Sequence, residues 1–253
     1  MLYAIHGFLV AFFFLLYGYF LVPKVKSIKD DRERTMYALK IVQSKLRRIL
    51  KVCKVKYDVE GMENLTSIPK DEGVMFVGNH RSYFDVILGY TLVDRPTGFV
   101  AKTEMQKVKP LAMWMEFLHC LFIDRDNLKQ SLKVILQAIQ YVKKGTSIWI
   151  YPEGTRSKGE SEEDMLPFKE GSFKIAEKTG CKIIPVAMIN TRKIWEAQFP
   201  KVKPNQHVRV MIGKPITVSD IPEEERKHVG EYVENIVLEE IRELKKKDVA
   251  EEK

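Results

Sequence analysis

The chain has 253 residues, 45% of them apolar, 30% charged and 10% aromatic, with ordinary glycine and proline content. That composition excludes a disordered, collagen-like or disulfide-stapled polypeptide and describes one medium-sized folded domain with an extra segment attached. Lys and Arg outnumber Asp and Glu by 42 to 34, a net charge of +8, and the three cysteines (Cys53, Cys120, Cys181) show no C-x-x-C spacing. Neither a disulfide framework nor a cysteine zinc site is indicated, and a reducing, cytosolic environment is expected.

The charge is local. Residues 1–23 carry none, residues 24–56 hold 12 basic and 3 acidic side chains, and residues 57–253 hold 30 basic and 31 acidic ones. A nucleic-acid-binding enzyme would show its basic face in the main domain, so no nucleic-acid partner is expected.

In chain order, the first predicted element is the apolar run over residues 2–22, interrupted only by His6 and two glycines and ended at Pro23, with Lys24, Lys26 and Lys29 just beyond. Twenty-one helical residues reach about 31 Å, the thickness of a hydrocarbon core. Tyr3, Tyr17 and Tyr19 lie near the ends, where amphipathic aromatics favour the interface. With no basic segment before it and no small-residue cleavage site after it, a membrane helix is favoured over a cleaved signal peptide. Basic residues on its C-terminal side place the main domain on the cytoplasmic side of the cytoplasmic membrane.

Residues 31–54 form an amphipathic helix, with Met36, Leu39, Val42, Leu46, Ile49, Leu50 and Cys53 on one stripe and Lys40, Arg47, Arg48, Lys51 and Lys54 opposite. Two readings stay open: a surface helix packing on the domain, and a basic helix lying at an anionic bilayer. Residues 1–56 are therefore expected to be a two-helix membrane anchor, either a single span or a hairpin embedded in one leaflet, and residues 57–253 the main domain.

In that domain, short apolar runs at residues 73–78, 98–101, 121–124, 147–151, 183–189 and 208–212 read as strands. Amphipathic stretches at 83–92, 105–118, 128–144, 171–178 and 223–247 read as helices. The alternation predicts an α/β fold with a mostly parallel central sheet flanked by helices. In such folds the site lies beyond the C-terminal ends of the strands.

Two strand ends carry chemistry. His80 follows the first strand, and Asp85 comes five residues later. A helix starting at Ser82 would fold the carboxylate back onto the imidazole, making an oriented general base, although Ser82 and Asp85 also spell a helix capping box. Tyr151-Pro152-Glu153-Gly154-Thr155-Arg156-Ser157 follows a later strand. Gly154 permits close backbone approach, Thr155 offers a hydroxyl and Arg156 a planar cationic fork, a set suited to phosphate. Glu153 does not suit a pure anion site, and would orient the arginine or bond a ligand hydroxyl. Lys102 and Arg125 sit at two further strand ends. No metal site is expected, since Arg125 separates Asp124 from Asp126 and no other ligand cluster accompanies them. No nucleophile elbow, phosphate loop, dinucleotide fingerprint or H-E-x-x-H is present.

Asn79-His80-Arg81-Ser82-Tyr83-Phe84-Asp85, Phe122-Ile123-Asp124-Arg125, Tyr151-Pro152-Glu153-Gly154-Thr155-Arg156-Ser157 and Ile184-Pro185-Val186-Ala187, in that order, resemble the four blocks of the glycerolipid acyltransferases, closest to the bacterial 1-acylglycerol-3-phosphate acyltransferase branch. Ala101-Lys102 and Phe168-Lys169-Glu170-Gly171 extend the likeness. The resemblance implies acyl transfer from a thioester of acyl carrier protein or coenzyme A to the sn-2 hydroxyl of lysophosphatidic acid, with no bound cofactor. It also implies His80 and Asp85 as the catalytic pair, Gly154, Thr155, Arg156 and Lys102 on the phosphate, and Glu153 and Arg125 at the acceptor. An acyltransferase for glycerol 3-phosphate or another lysophospholipid remains open, as does a lipid hydrolase or thioesterase.

Overall fold

A computed structural model describes residues 1–251. The chain forms α1 (Leu2–Ser27), α2 (Asp31–Val52), β1 (Lys56–Glu60), α3 (Met62–Thr66), β2 (Met75–Gly78), α4 (Tyr83–Leu92), β3 (Thr97–Lys102), α5 (Lys109–Phe117), β4 (Leu121–Ile123), α6 (Leu128–Lys143), β5 (Ser147–Ile150), α7 (Lys174–Thr179), β6 (Ile183–Ile189), β7 (His207–Ile212) and α8 (Val229–Glu251). One seven-stranded sheet has the order β1-β7-β6-β2-β5-β3-β4. Strands β6, β2, β5, β3 and β4 are parallel, as expected; β7 turns antiparallel to β6 and carries β1 parallel beside it.

Alternation along each strand divides the core. On β2, Phe76 faces the layer of α1, α2, α4 and α5, while Met75 and Val77 face α6, α7 and α8. Strand β1 was not expected: Lys56, Asp58 and Glu60 leave only Tyr57 and Val59 to mark an edge strand. The stretch expected as one helix over residues 105–118 is a 3-10 turn followed by α5, broken before Pro110.

The first helix does not stop at Pro23 but continues through it to Ser27. It docks lengthwise on the domain. Phe8 meets Trp195 edge-on at 5.8 Å between ring centroids, and Phe14 meets Trp114 at 5.0 Å. Gly18 makes the seat possible, because a Cβ there would stand 2.6 Å from Trp114 Nε1. Gly18→Val is therefore expected to lever α1 away from Trp114, and a thermal melt should show a Tm loss of several degrees. An unchanged melt would mean that α1 is not docked in solution. The outward row of Phe12, Phe13, Leu16, Tyr17 and Phe20 is exposed.

Packing, not only solvation, organises α2. Ala38, Leu39, Val42 and Leu50 are buried in the layer shared with α1, α4 and α5. Gln43 Nε2 donates to the Tyr90 and Val93 carbonyls (2.8 and 2.7 Å) and Arg47 to that of Thr91 (3.1 Å), satisfying carbonyls at the end of α4. Lys40, Arg48, Lys51 and Lys54 remain exposed.

On the other layer, burial pushes the Glu240 carboxyl up to about 8, helped by Glu243, and its Oε2 has no partner. A carboxyl whose value rises on folding holds more protons in the folded than in the unfolded chain between about pH 4.5 and 8. Stability must therefore fall as pH rises through that window. Glu240→Gln should raise stability at pH 8 by about 1–2 kcal/mol and leave it unchanged at pH 4. Equal gains at both pH values in urea unfolding would refute the electrostatic cause.

Candidate active site

Sheet order dictates which strand ends can cooperate. β2 lies between β5 and β6, so the segments leaving these three strands are neighbours. β3 and β4 stand two and three strands from β2, about 10 and 14 Å at the usual strand spacing.

His80 leaves β2 through Asn79, whose side chain clips the end of the neighbouring β6. Its Nδ2 donates to the Met188 carbonyl (2.8 Å), and its Oδ1 accepts from the Met188 amide (2.9 Å). The chain then turns into α4 with Ser82 as N-cap, and the capping box with Asp85 is formed. The same Asp85 also pairs with histidine: Oδ2 accepts from His80 Nδ1 at 2.9 Å and from the Arg81 and Ser82 amides at 2.8 and 2.7 Å. Capping and ring orientation are thus one device. Asp85 is 1% exposed and His80 16%. With Nδ1 committed to the carboxylate, the other ring nitrogen, Nε2, is the one available to a substrate proton.

Beneath the imidazole lies the Tyr151 ring, parallel within 10° at 4.1 Å between centroids. Burial drives the Tyr151 hydroxyl well above its ordinary value, so it is neutral. The backbone of His80 is pinned as well. Its amide donates to Glu153 Oε1 (2.5 Å), and its carbonyl accepts from the Ser157 amide (2.8 Å). The second Glu153 oxygen accepts from the Leu166 amide at 2.9 Å, and burial pushes this carboxyl up to about 7 against those two bonds. Glu153 thus faces inward, holding the His80 amide. Arg81 is consumed in the fold: it donates to the Gly159 and Ser161 carbonyls and pairs with Glu162, securing the loop after Arg156.

Beside the dyad opens a cavity of about 420 Å³ lined by Tyr83, Thr155, Arg156, Lys158, Arg192 and Glu196, among others. The Arg156 guanidinium carbon stands 4.0 Å over the Tyr83 ring, a cation–π seat that fixes its plane. Thr155 and Arg156 both line this cavity, and Gly154 adopts φ +80 in the turn that presents them. Lys102 and Arg125 do not line this cavity, in keeping with their strands' distance from β2. Burial pulls the Arg125 guanidinium down from its ordinary value, opposed by Glu104. Asp124 Oδ1 accepts from the Asp126 amide (3.1 Å), so that D-x-D pair forms a turn.

A second cavity, of about 280 Å³, is almost wholly apolar. Its walls include Phe14 of α1, Leu46 of α2, Val86 and Tyr90 of α4, Phe99 of β3 and Cys120. Phe99 in its wall lies 6.2 Å from Tyr151, tilted by 42°, and Tyr151 in turn stacks against His80. The site therefore combines a histidine–carboxylate pair, a cationic cavity lined by residues flanking it in the chain, and a hydrocarbon-lined cavity toward α1 and α2.

Sequence reasoning passed over Glu196, Arg192 and Lys158. Lys158 lies two residues beyond Arg156 and was within reach of the motif. Glu196 and Arg192 follow β6, and only sheet order brings them to the cavity.

Comparison with known proteins agrees with this architecture. The acyltransferase family profile matches residues 56–189. A chloroplastic 1-acyl-sn-glycerol-3-phosphate acyltransferase of Brassica napus is 33% identical over 163 residues, 64% of this chain but 45% of the relative; the chain spans about half the length of such plant relatives. The 1-acyl-sn-glycerol-3-phosphate acyltransferase of Salmonella typhimurium is 30% identical, with 70% of each chain covered. The crystal structure of the 1-acyl-sn-glycerophosphate (LPA) acyltransferase of Thermotoga maritima superposes with a TM-score of 0.81 at 28% identity, covering 96% of this chain and 95% of that one. With the family's profile spanning more than half of the chain, and both the dyad and the YPEGTRS turn at its strand ends, this protein belongs to the acyltransferase family.

Proposed function

We propose that the protein transfers an acyl chain from a thioester to the sn-2 hydroxyl of 1-acyl-glycerol-3-phosphate, producing phosphatidic acid. The observation that carries this reading is the His80–Asp85 pair, with a cationic cavity lined by its chain neighbours Arg81 and Tyr83 and an apolar cavity lined by Val86, Ile87 and Tyr90 of the helix that bears Asp85. Those are the surroundings required by a phosphate-bearing acceptor alcohol and a hydrocarbon chain. The names of the relatives support the same acceptor.

In this account the acceptor phosphate binds Arg156, with Thr155 and Lys158 beside it, and directs the hydroxyl to His80 Nε2. His80 takes the hydroxyl proton as oxygen attacks the thioester carbonyl. Asp85 stabilises the imidazolium, and the tetrahedral intermediate collapses to ester and thiolate. The imidazolium returns its proton to the sulfur. No acyl-enzyme is required. Glu153 acts by fixing the His80 backbone.

The exposed aromatic row of α1 and the free cations of α2 would enter and face an anionic bilayer, holding the site where its lipid substrates lie, on the cytoplasmic face of the membrane. The donor is a thioester of acyl carrier protein or of coenzyme A. Purified protein assayed with both donors against lysophosphatidate and glycerol 3-phosphate tests the reading. Phosphatidate from lysophosphatidate is the expected product. Exclusive acylation of glycerol 3-phosphate, or fatty acid release outpacing ester formation, would overturn it.

A further inference from the structure

The cationic cavity already holds an anion, and that anion belongs to the protein. Glu196 Oε1 accepts from the Tyr83 amide at 2.8 Å and from Arg156 Nη1 at 2.9 Å, while Oε2 accepts from Ser82 Oγ at 2.6 Å. A carboxylate thus occupies the N-terminus of α4 and the arginine fork together. These are the donors that a phosphate monoester at this position would use.

We infer that Glu196 is an internal stand-in for the acceptor phosphate, which must displace it from Arg156, Ser82 and Tyr83 before the acceptor hydroxyl reaches His80. The inference rests on the reading of the Arg156 cavity as the phosphate seat.

Three features fit this role. First, the donors stay in place when the carboxylate leaves. Arg156 remains stacked on Tyr83, and Ser82 remains the N-cap because its Oγ also accepts from the Phe84 amide at 3.0 Å. Second, Glu196 sits where a packed stretch gives way to an exposed one. Ile194 is fully buried and Trp195 packs on Phe8 and Tyr83, whereas residues 197–200 are exposed, so the carboxylate can leave without unpacking the chain beyond it. Third, the displacement is favoured only for a strong anion. A phosphate monoester brings more negative charge and more acceptor oxygens than a carboxylate, and Arg192 and Lys158 in the cavity wall add cations that reward the exchange. An acceptor alcohol without phosphate cannot displace Glu196, so the residue works as a specificity filter for phosphorylated acceptors.

Self-occupancy divides the affinity for a competing ligand: its apparent dissociation constant is the intrinsic one divided by the fraction of time the seat is open. Steady-state kinetics on the full-length enzyme should therefore show the KM for lysophosphatidate falling by roughly 3- to 30-fold in both Glu196→Gln and Glu196→Ala. The inhibition constant of inorganic phosphate against lysophosphatidate should fall in parallel. A structural strut predicts another pattern, in which the isosteric Glu196→Gln keeps the wild-type KM and Glu196→Ala raises it. That result overturns the inference, and so does an increase in KM in both variants. Arg156→Ala, run alongside, separates the two levels. If it raises KM while the Glu196 variants do not lower it, the seat stands and the stand-in falls. If it leaves KM untouched, the phosphate seat itself is misplaced. Melting curves of each variant report whether it is folded.

Discussion

Replacing His80 by alanine is expected to slow phosphatidate formation by roughly 100- to 10,000-fold, the usual worth of a positioned general base, with the KM for lysophosphatidate little changed. In the proposed mechanism the imidazole would meet the acceptor through Nε2 only, and the phosphate contacts would lie elsewhere, on Arg156 and the start of α4. The fold should tolerate the loss, because Asp85 keeps its bonds to the Arg81 and Ser82 amides and so continues to cap α4. Asp85 variants behave differently. Asp85→Ala removes ring orientation and helix cap together, so a loss of activity there would be accompanied by a loss of stability of about 1 kcal/mol or more. His80→Ala with wild-type turnover would show that the base is elsewhere.

The second large effect is expected at Arg156. Arg156→Ala should raise the KM for lysophosphatidate by about 10- to 100-fold, as befits a charge-assisted contact to phosphate, and leave turnover at saturating acceptor nearly intact. Lysine should rescue little. An ammonium reproduces the charge but neither the fork nor the flat stack on Tyr83, 4.0 Å away. A collapse of kcat in place of KM would mean that Arg156 acts in the transition state. Direct titration of inorganic phosphate into wild type and variant provides the same comparison without turnover.

Much of the site was readable from residue order, for a physical reason. The central parallel strands β2, β5 and β6 are buried throughout and appear as compact apolar runs, and the chemistry follows two of them at once: Asn79-His80 after β2, Tyr151 to Arg156 after β5. The distance from His80 to Asp85 is set by a helix cap, a local device that a sequence can show. Orientation was not readable. Glu153 belongs to the same turn as Arg156, yet its carboxylate faces the His80 and Leu166 amides while the arginine faces the cavity. Nothing in the motif distinguishes the two directions.

Sheet order was equally hidden. Lys102 and Arg125 end strands just as His80's strand does, but β3 and β4 lie two and three strands away from β2, whereas β6 is its neighbour. Glu196 enters the site for that reason. Strand β1, short and charged at alternate positions, carries too little apolar signal to be recognised without its partner β7. In α2 the structure shows the packing reading. Its apolar stripe packs on the domain, Arg47 joins Gln43 in capping α4, Arg32 and Arg34 bond the chain, and Lys40, Arg48 and Lys51 stay exposed.

The central claim is acyl transfer to an alcohol recognised by its phosphate. Purified enzyme given an acyl thioester and either lysophosphatidate or the matching monoacylglycerol, which has the same chain and hydroxyls without the phosphate, tests it most directly. The account predicts phosphatidate as the main product and a kcat/KM for monoacylglycerol lower by about 100-fold or more, the cost of forgoing the phosphate contacts to Arg156 and the start of α4. Equal use of the two acceptors, or free fatty acid as the principal product from either, would contradict it.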